Sequence, residues 1–185
     1  MFLLTAVYSC RDDDKGTNNP PPNYPEQQFA QQFLSDIGYT AKTSQLNGPY
    51  NFVFGYQFTP LVNGKIKAVK LKLPVARPAI TVSIWDTATQ TVLKSASVTV
   101  VAADTDYTVQ IDPLQLTKDK QYMITFQSNV FYSYKKPDSG SGVYPVTAGN
   151  IRVDGFQYTL TGTYPDMAHT YQASGDLDFI FQQTN

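Results

Sequence analysis

Phe52-Val53-Phe54-Gly55-Tyr56-Gln57-Phe58-Thr59-Pro60 and, a few residues on, Lys65-Ile66-Lys67-Ala68-Val69-Lys70-Leu71-Lys72-Leu73 carry the signal that sets the fold class. In the first stretch aromatic side chains fall on every second position, the period of a strand with one buried face, and Pro60 marks its stop. In the second the alternation slips. Ile66 and Ala68 share one parity, while Val69, Leu71 and Leu73 share the other. A β-bulge near Ala68 inserts one residue, returns the apolar side chains to the core and leaves Lys65, Lys67, Lys70 and Lys72 together on the solvent side.

Working outward, Ile80, Val82 and Ile84 form the next alternating run, and Trp85-Asp86 opens a turn into Val92, Ala96, Val98 and Val100. Tyr107, Val109 and Ile111 follow and are expected to end at Asp112-Pro113. Leu116 and Tyr122, leading into Ile124 and Phe126, have the spacing of a tyrosine corner, in which the phenol bonds back to an upstream backbone group. Beyond residues 131–134, residues 135–142 are the strongest loop signal of the chain, with Pro137-Asp138 and Ser139-Gly140-Ser141-Gly142. Ile151, Val153, Gly155, Phe156, Tyr158 and Leu160 read as a second bulged strand, and Leu177, Phe179 and Phe181 as the last; Asp178, of opposite parity, is expected to face solvent. On the amino-terminal side, residues 24–39 permit a short amphipathic helix with Phe29, Phe33, Leu34 and Ile37 on one face, after Pro25 and before Gly38. About eight to ten short strands with turn signals between them and no βαβ rhythm predict an all-β fold, an antiparallel β-sandwich of jelly-roll or Greek-key type.

Composition bounds the function. The 185-residue chain has room for one domain, and a net charge of -1 with 16% charged residues supplies no field to attract nucleic acid. Cys10 is the only cysteine and His169 the only histidine, so an internal disulfide and the Cys/His zinc clusters are excluded; a metal here needs oxygen ligands.

Met1-Phe2-Leu3-Leu4-Thr5-Ala6-Val7-Tyr8-Ser9-Cys10 resembles a bacterial lipoprotein signal ending in a lipobox, although no Lys or Arg precedes its short apolar stretch and Tyr8 is bulky for its place. The resemblance implies cleavage before Cys10 and acylation of that residue; the alternative is a ragged terminus with a small buried thiol. Arg11, Asp12, Asp13, Asp14 and Lys15, then Gly16-Thr17-Asn18-Asn19 and Pro20-Pro21-Pro22, have almost nothing apolar to bury and should stay extended as a tether. The acidic cluster after the cysteine resembles the export signal of Bacteroidetes lipoproteins bound for the outer leaflet of the outer membrane; a merely solvating linker is the other reading. The expected organisation is a signal peptide over residues 1–9, a lipidated tether over 10–25 and one sandwich domain over 26–185, held at the cell surface by its lipid.

Chemistry-bearing motifs are few. No Gly-x-Ser-x-Gly, no His-Glu-x-x-His and no phosphate-cradling glycine loop occurs, so catalysis is not expected, and His169 is read as a solvated loop residue rather than a general base. Asp154 and Asp176, with Asp166 and Asp178, offer oxygens for a structural Ca²⁺, at a spacing that matches no calcium loop. Six of the thirteen tyrosines, Tyr132, Tyr134, Tyr144, Tyr158, Tyr164 and Tyr171, are interleaved with Lys135, Arg152, Asp154, Asp166 and His169. Flat aromatic faces beside hydrogen-bonding groups are what sugar rings require, which makes Tyr144, Tyr164, Tyr158, Tyr171, Arg152, Asp166 and His169 the candidate ligand-binding residues. Sandwiches also use Tyr freely as half-buried strand residues; Tyr144 and Tyr164 are the best candidates because no alternating pattern needs them. The lysine stripe offers itself to an anionic glycan, or serves as a solvated face that discourages edge pairing.

Several segments in order, residues 54–60 with Gly64 and Ile66, Val82-Ser83-Ile84-Trp85-Asp86, residues 116–122, Gly142-Val143-Tyr144, Tyr164-Pro165 and Leu177-Asp178-Phe179-Ile180-Phe181, resemble a secreted bacterial β-sandwich domain of unknown function found beside glycoside hydrolases, adhesins and immunoglobulin-like repeats. The resemblance covers about residues 50–182. It departs where Pro74 to Pro78 replace a glycine-rich turn and at Lys118-Asp119-Lys120. It implies an accessory, non-catalytic module near carbohydrate, with no catalytic residues to carry over. The partner is then a polysaccharide, or alternatively another envelope protein.

Overall fold

Aromatic and β-branched residues at alternate positions bury one face of an extended segment, and strands dominate accordingly. The computed structural model describes residues 22–45, 50–135, 143–160, 164–170 and 172–185. Among them the elements run β1 (Glu26–Gln27), α1 (Ala30–Ile37), β2 (Thr40–Gln45), β3 (Phe52–Pro60), β4 (Gly64–Lys72), β5 (Arg77–Asp86), β6 (Thr91–Val100), β7 (Tyr107–Leu116), β8 (Tyr122–Ser128), β9 (Val130–Lys135), β10 (Val146–Ala148), β11 (Ile151–Thr159), β12 (Met167–His169), β13 (Gln172–Ser174) and β14 (Asp176–Gln183). All pairings are antiparallel. One sheet has the order β1-β14-β4-β7, a larger one β10-β11-β3-β8-β5-β6 with β12 also on β11, and a small one β13-β9-β2. Phe54, Tyr56 and Phe58 of β3, Ile124 and Phe126 of β8, and Ile80, Val82 and Ile84 of β5 share one buried cluster with Ile66, Val69 and Leu71 of β4 and Phe179 and Phe181 of β14. The rings of Phe58 and Phe179 meet 4.8 Å apart across the two larger sheets. The chain is thus an all-β sandwich.

Both bulges form where the parity slips. Lys67 is skipped in both pairings of β4: Ile66 faces Phe181 and Leu114, and Ala68 faces Ile180 and Gln110. Ile66, Ala68, Val69, Leu71 and Leu73 are all buried, and the four lysines stay partly exposed. On β11 the skipped residue is Asp154, between Val153 opposite Phe58 and Gly155 opposite Gln57. The phenol of Tyr122 accepts the backbone N–H of Thr117 at 3.0 Å, the expected corner bond. Tyr107 repeats the device, accepting from the N–H of Ala102 at 2.7 Å.

Two expectations are corrected, and one strand forms where no sequence signal points to it. β7 runs through Asp112-Pro113 to Leu116, because its register jump opposite Lys67 leaves Ile111, Asp112 and Pro113 without ladder partners on β4, and a proline at a bulge gives up no ladder bond. β2 is a strand although Thr40-Ala41-Lys42-Thr43-Ser44-Gln45 shows no apolar alternation: six consecutive pairings with β9 use backbone groups that every residue carries. Asp178 is buried, at 4% exposure, because the segment entering α1 covers it: its Oδ1 accepts the N–H groups of Phe29 (3.2 Å) and Phe179 (2.7 Å). Helix α1 itself forms within the expected stretch and ends at Gly38, whose φ of 71° closes it. Phe29 lies 4.6 Å from Phe179 and Phe33 lies 5.4 Å from Tyr56, so the helix seals the core. Among the described residues no helix is long and apolar enough to cross a membrane.

Candidate binding groove on the outer face of the large sheet

Residues of β3, β8 and β5 that point away from the core form the outer face of the large sheet. Gln57, Met123 and Trp85 are aligned across the three strands, and Gly55, Thr125 and Ser83 make the next row. Gln157 of β11 extends that second row beside Gly55. Trp85 is 8% exposed, with its indole N–H donating to Thr125 Oγ1 at 2.8 Å, so its ring is fixed. Tyr164, in the segment after β11, packs edge-on against it at 5.5 Å and 79°. Burial raises the Tyr164 phenol above its ordinary pKa, and a hydrogen bond with Gln57 works in the opposite direction.

The Trp85–Tyr164 pair stands between two hollows. One, of ≈ 510 Å³, is lined by Gln57, Gln90, Gln121, Gln157, Tyr164 and Asp166, together with residues of the β5–β6 turn. The other, of ≈ 290 Å³, lies beside Trp85 and is bounded by Val53, Thr81, Ser83, Val92 and Gln127. The larger falls inside the range of about 300–1,000 Å³ usual for small-molecule sites. Its rim is held rigidly. Asp86 Oδ1 accepts the N–H of Ala88 at 2.9 Å, bracing the turn, and Asp86 Oδ2 pairs with Lys120 at 2.7 Å. That Lys120 bond holds the Asp86 carboxyl below its usual range. Gln90 ends the turn at φ 53°, a left-handed conformation that glutamine seldom adopts.

Beside the groove, the bulge residue Asp154 is saturated. Its Oδ1 pairs with Arg152 Nε at 2.5 Å, and its Oδ2 accepts from Thr59 Oγ1 (2.5 Å) and from Gln121 Nε2 (3.2 Å). Gln121 thereby links this network to the groove wall. Asp176 is held elsewhere, by Lys72 at 2.5 Å and by the Tyr134 hydroxyl at 3.1 Å. Among the described residues no three His, Cys, Asp or Glu side chains come together as a metal site, and Asp154, Asp166, Asp176 and Asp178 form no common cluster.

Of the residues singled out in the sequence, Tyr164 and Asp166 line the groove, and Arg152 stands next to it through Asp154. Tyr158 and His169 do not join them. His169 is aligned with Phe156, whose ring lies in the core, and it stacks on Tyr158 at 4.9 Å and 15° at the edge of that inner side. Tyr144 is also apart: its hydroxyl donates to the Gln172 carbonyl at 3.4 Å, and burial followed by the neighbouring Tyr39 pushes its pKa far up. Cys10 and Tyr171 lie outside the described residues. Nothing local in the sequence marks the four glutamines as ligand groups: Gln57 and Gln157 have the outward parity of any solvated strand position, and Gln90 and Gln121 stand in the connections before β6 and β8. No protein-family model matches the chain, and no curated protein matches it.

Proposed function

We propose that the chain is a non-catalytic surface lipoprotein, anchored in the outer membrane through acylated Cys10, whose sandwich binds carbohydrate in the glutamine-lined groove beside Tyr164. The observation that carries this reading is the groove's chemistry. Side-chain amides both donate and accept, as sugar hydroxyls do, and an aromatic ring backed by a fixed indole offers a surface for the C–H face of a pyranose. Among the described residues the groove lining holds amides, a phenol, one carboxylate and the Thr87 hydroxyl, which donates to the Gln121 carbonyl at 2.9 Å, so no base is paired with a nucleophile there. The resemblance to sandwich domains found beside glycoside hydrolases, and the sequence of the tether, agree with an accessory role outside the cell.

A glycan array probed with the full chain tests the reading. Binding of at least one polysaccharide, weakened by Tyr164→Ala and by Gln157→Ala but not by Tyr144→Phe, is expected; no binding at all removes the proposal. Metabolic labelling with a palmitate analogue, lost in Cys10→Ala, tests the anchor. A second reading, an adhesive envelope protein, draws on exposed Val92 and Leu93 of the edge strand β6, beside the smaller hollow. Capture of one stoichiometric envelope protein that free sugars do not displace favours that reading.

A further inference from the structure

The polar groups around the groove are not charge-balanced toward a ligand. Among the described residues the cations of the adjoining segments are Lys118, Lys120 and Arg152; Lys120 and Arg152 are paired with carboxylates, Asp86 at 2.7 Å and Asp154 at 2.5 Å, and exposed Lys118 stands 3.9 Å from Asp119. The lysines of β4 belong to the other sheet, where Lys67 pairs with Glu26 and Lys72 with Asp176. Among the described residues the one charged group lining the groove is Asp166, which is exposed. From this arrangement we infer that the groove selects uncharged polyhydroxylated chains and turns acidic ones away, an inference that rests on the reading of this groove as a saccharide site.

A neutral hydroxyl satisfies both ends of a glutamine amide, donating to Oε1 and accepting from Nε2. A carboxylate or sulfate only accepts, so the amide oxygens gain nothing from it, and it must approach Asp166 where each cation of the adjoining described segments already stands beside a carboxylate. At about 5–6 Å and a dielectric of about 40, between that of a protein surface and bulk water because Asp166 is exposed, that repulsion is worth about tenfold in affinity. The backbone at Gln90 supports a ligand role for the amides. At φ 53° glycine or asparagine fits more easily, yet the chain carries the longer side chain that reaches the groove.

Native affinity electrophoresis of the full chain decides the matter, in gels containing neutral polymers (β-glucan, mannan, xylan, galactan) or acidic ones (polygalacturonate, alginate). The expected result is retardation by a neutral polymer only. Gln157→Ala should weaken it about tenfold, the loss of one or two hydrogen bonds. Gln90→Gly should weaken it too while leaving the melting temperature equal or higher, which a merely structural glutamine would not do. Asp166→Lys, at an exposed position, should admit polygalacturonate. Retardation of the wild type by an acidic polymer, abolished in Gln157→Ala, overturns the selectivity while the saccharide reading stands. Retardation that no groove variant changes overturns the site, and no retardation by any polymer overturns the saccharide reading with it.

Discussion

Replacing Asp178 by Asn should change how stability depends on pH. Burial lifts the Asp178 carboxyl from 3.8 to about 6, outweighing the backbone N–H groups of Phe179, Phe29 and Ala30 and the charge of Lys70 that favour the ionised form. Its Oδ2 is buried without a partner, which is why desolvation wins. With the folded pKa above the unfolded one, the folded state binds the proton more tightly. Stability is therefore greatest, as far as this group decides it, below about pH 4. It is lost as pH rises through about 6, and the ionised carboxylate costs the fold about 3 kcal/mol at pH 7. Asparagine keeps an oxygen for the N–H groups of Phe29 and Phe179 and removes the charge, and its NH₂ stands where the protonated carboxyl already holds an unpaired O–H, so at low pH the two side chains bury a comparable donor. The variant should thus have a stability close to the wild type's at pH 4 and gain about 2.5 kcal/mol relative to it by pH 7. Urea unfolding of both proteins across this window, followed through the fluorescence of the single tryptophan, Trp85, measures the difference directly. Two stability curves that stay parallel from pH 4 to pH 7 would refute the reasoning.

Tyr122→Phe should destabilise by about 1–2 kcal/mol, because the N–H of Thr117 loses its acceptor in a mostly buried corner, whereas Tyr107→Phe should cost less at a more exposed one; chemical denaturation of the two variants gives the ranking. Gly64→Ala would place its Cβ 2.1 Å from Phe181 Cζ and 2.8 Å from the Gln182 carbonyl oxygen, so a loss of about 3 kcal/mol or more is expected; an unchanged melting temperature would show that the strand yields there. In alkali, Tyr39, raised by burial to about 12, and Tyr56, Tyr134 and Tyr144, all shifted upward, bind their protons more tightly folded than unfolded. Stability should then fall from about pH 10 toward pH 12, with tyrosinate absorbance and loss of β-sheet circular dichroism rising together; tyrosines that ionise at their ordinary value in an intact fold would contradict this.

The groove owes little to any local pattern. Gln57 lies on β3, Gln90 in the turn before β6, Gln121 just ahead of β8 and Gln157 on β11, and they meet because β3 pairs with β8 and β11, strands far from it in the chain. Tyr164 and Asp166 were visible as loop residues without a strand role; that Tyr164 would rest on Trp85 was not. Arg152 looked free and is bound, whereas Tyr158 and His169, close to Tyr164 in sequence, stack on the inner side of the same sheet.

What the amino-acid order determined alone is the strand content, the bulges at Lys67 and Asp154 and the corner at Tyr122, because side-chain period, a slip in that period and a five-residue bond are all local properties. Only the tertiary structure decided the burial of Asp178, the strand β2 and the assembly of the amide-lined groove. Those depend on which backbone or side chain arrives from elsewhere to cover, pair with or face each residue, and a sequence period says which way a side chain points but not what it will meet.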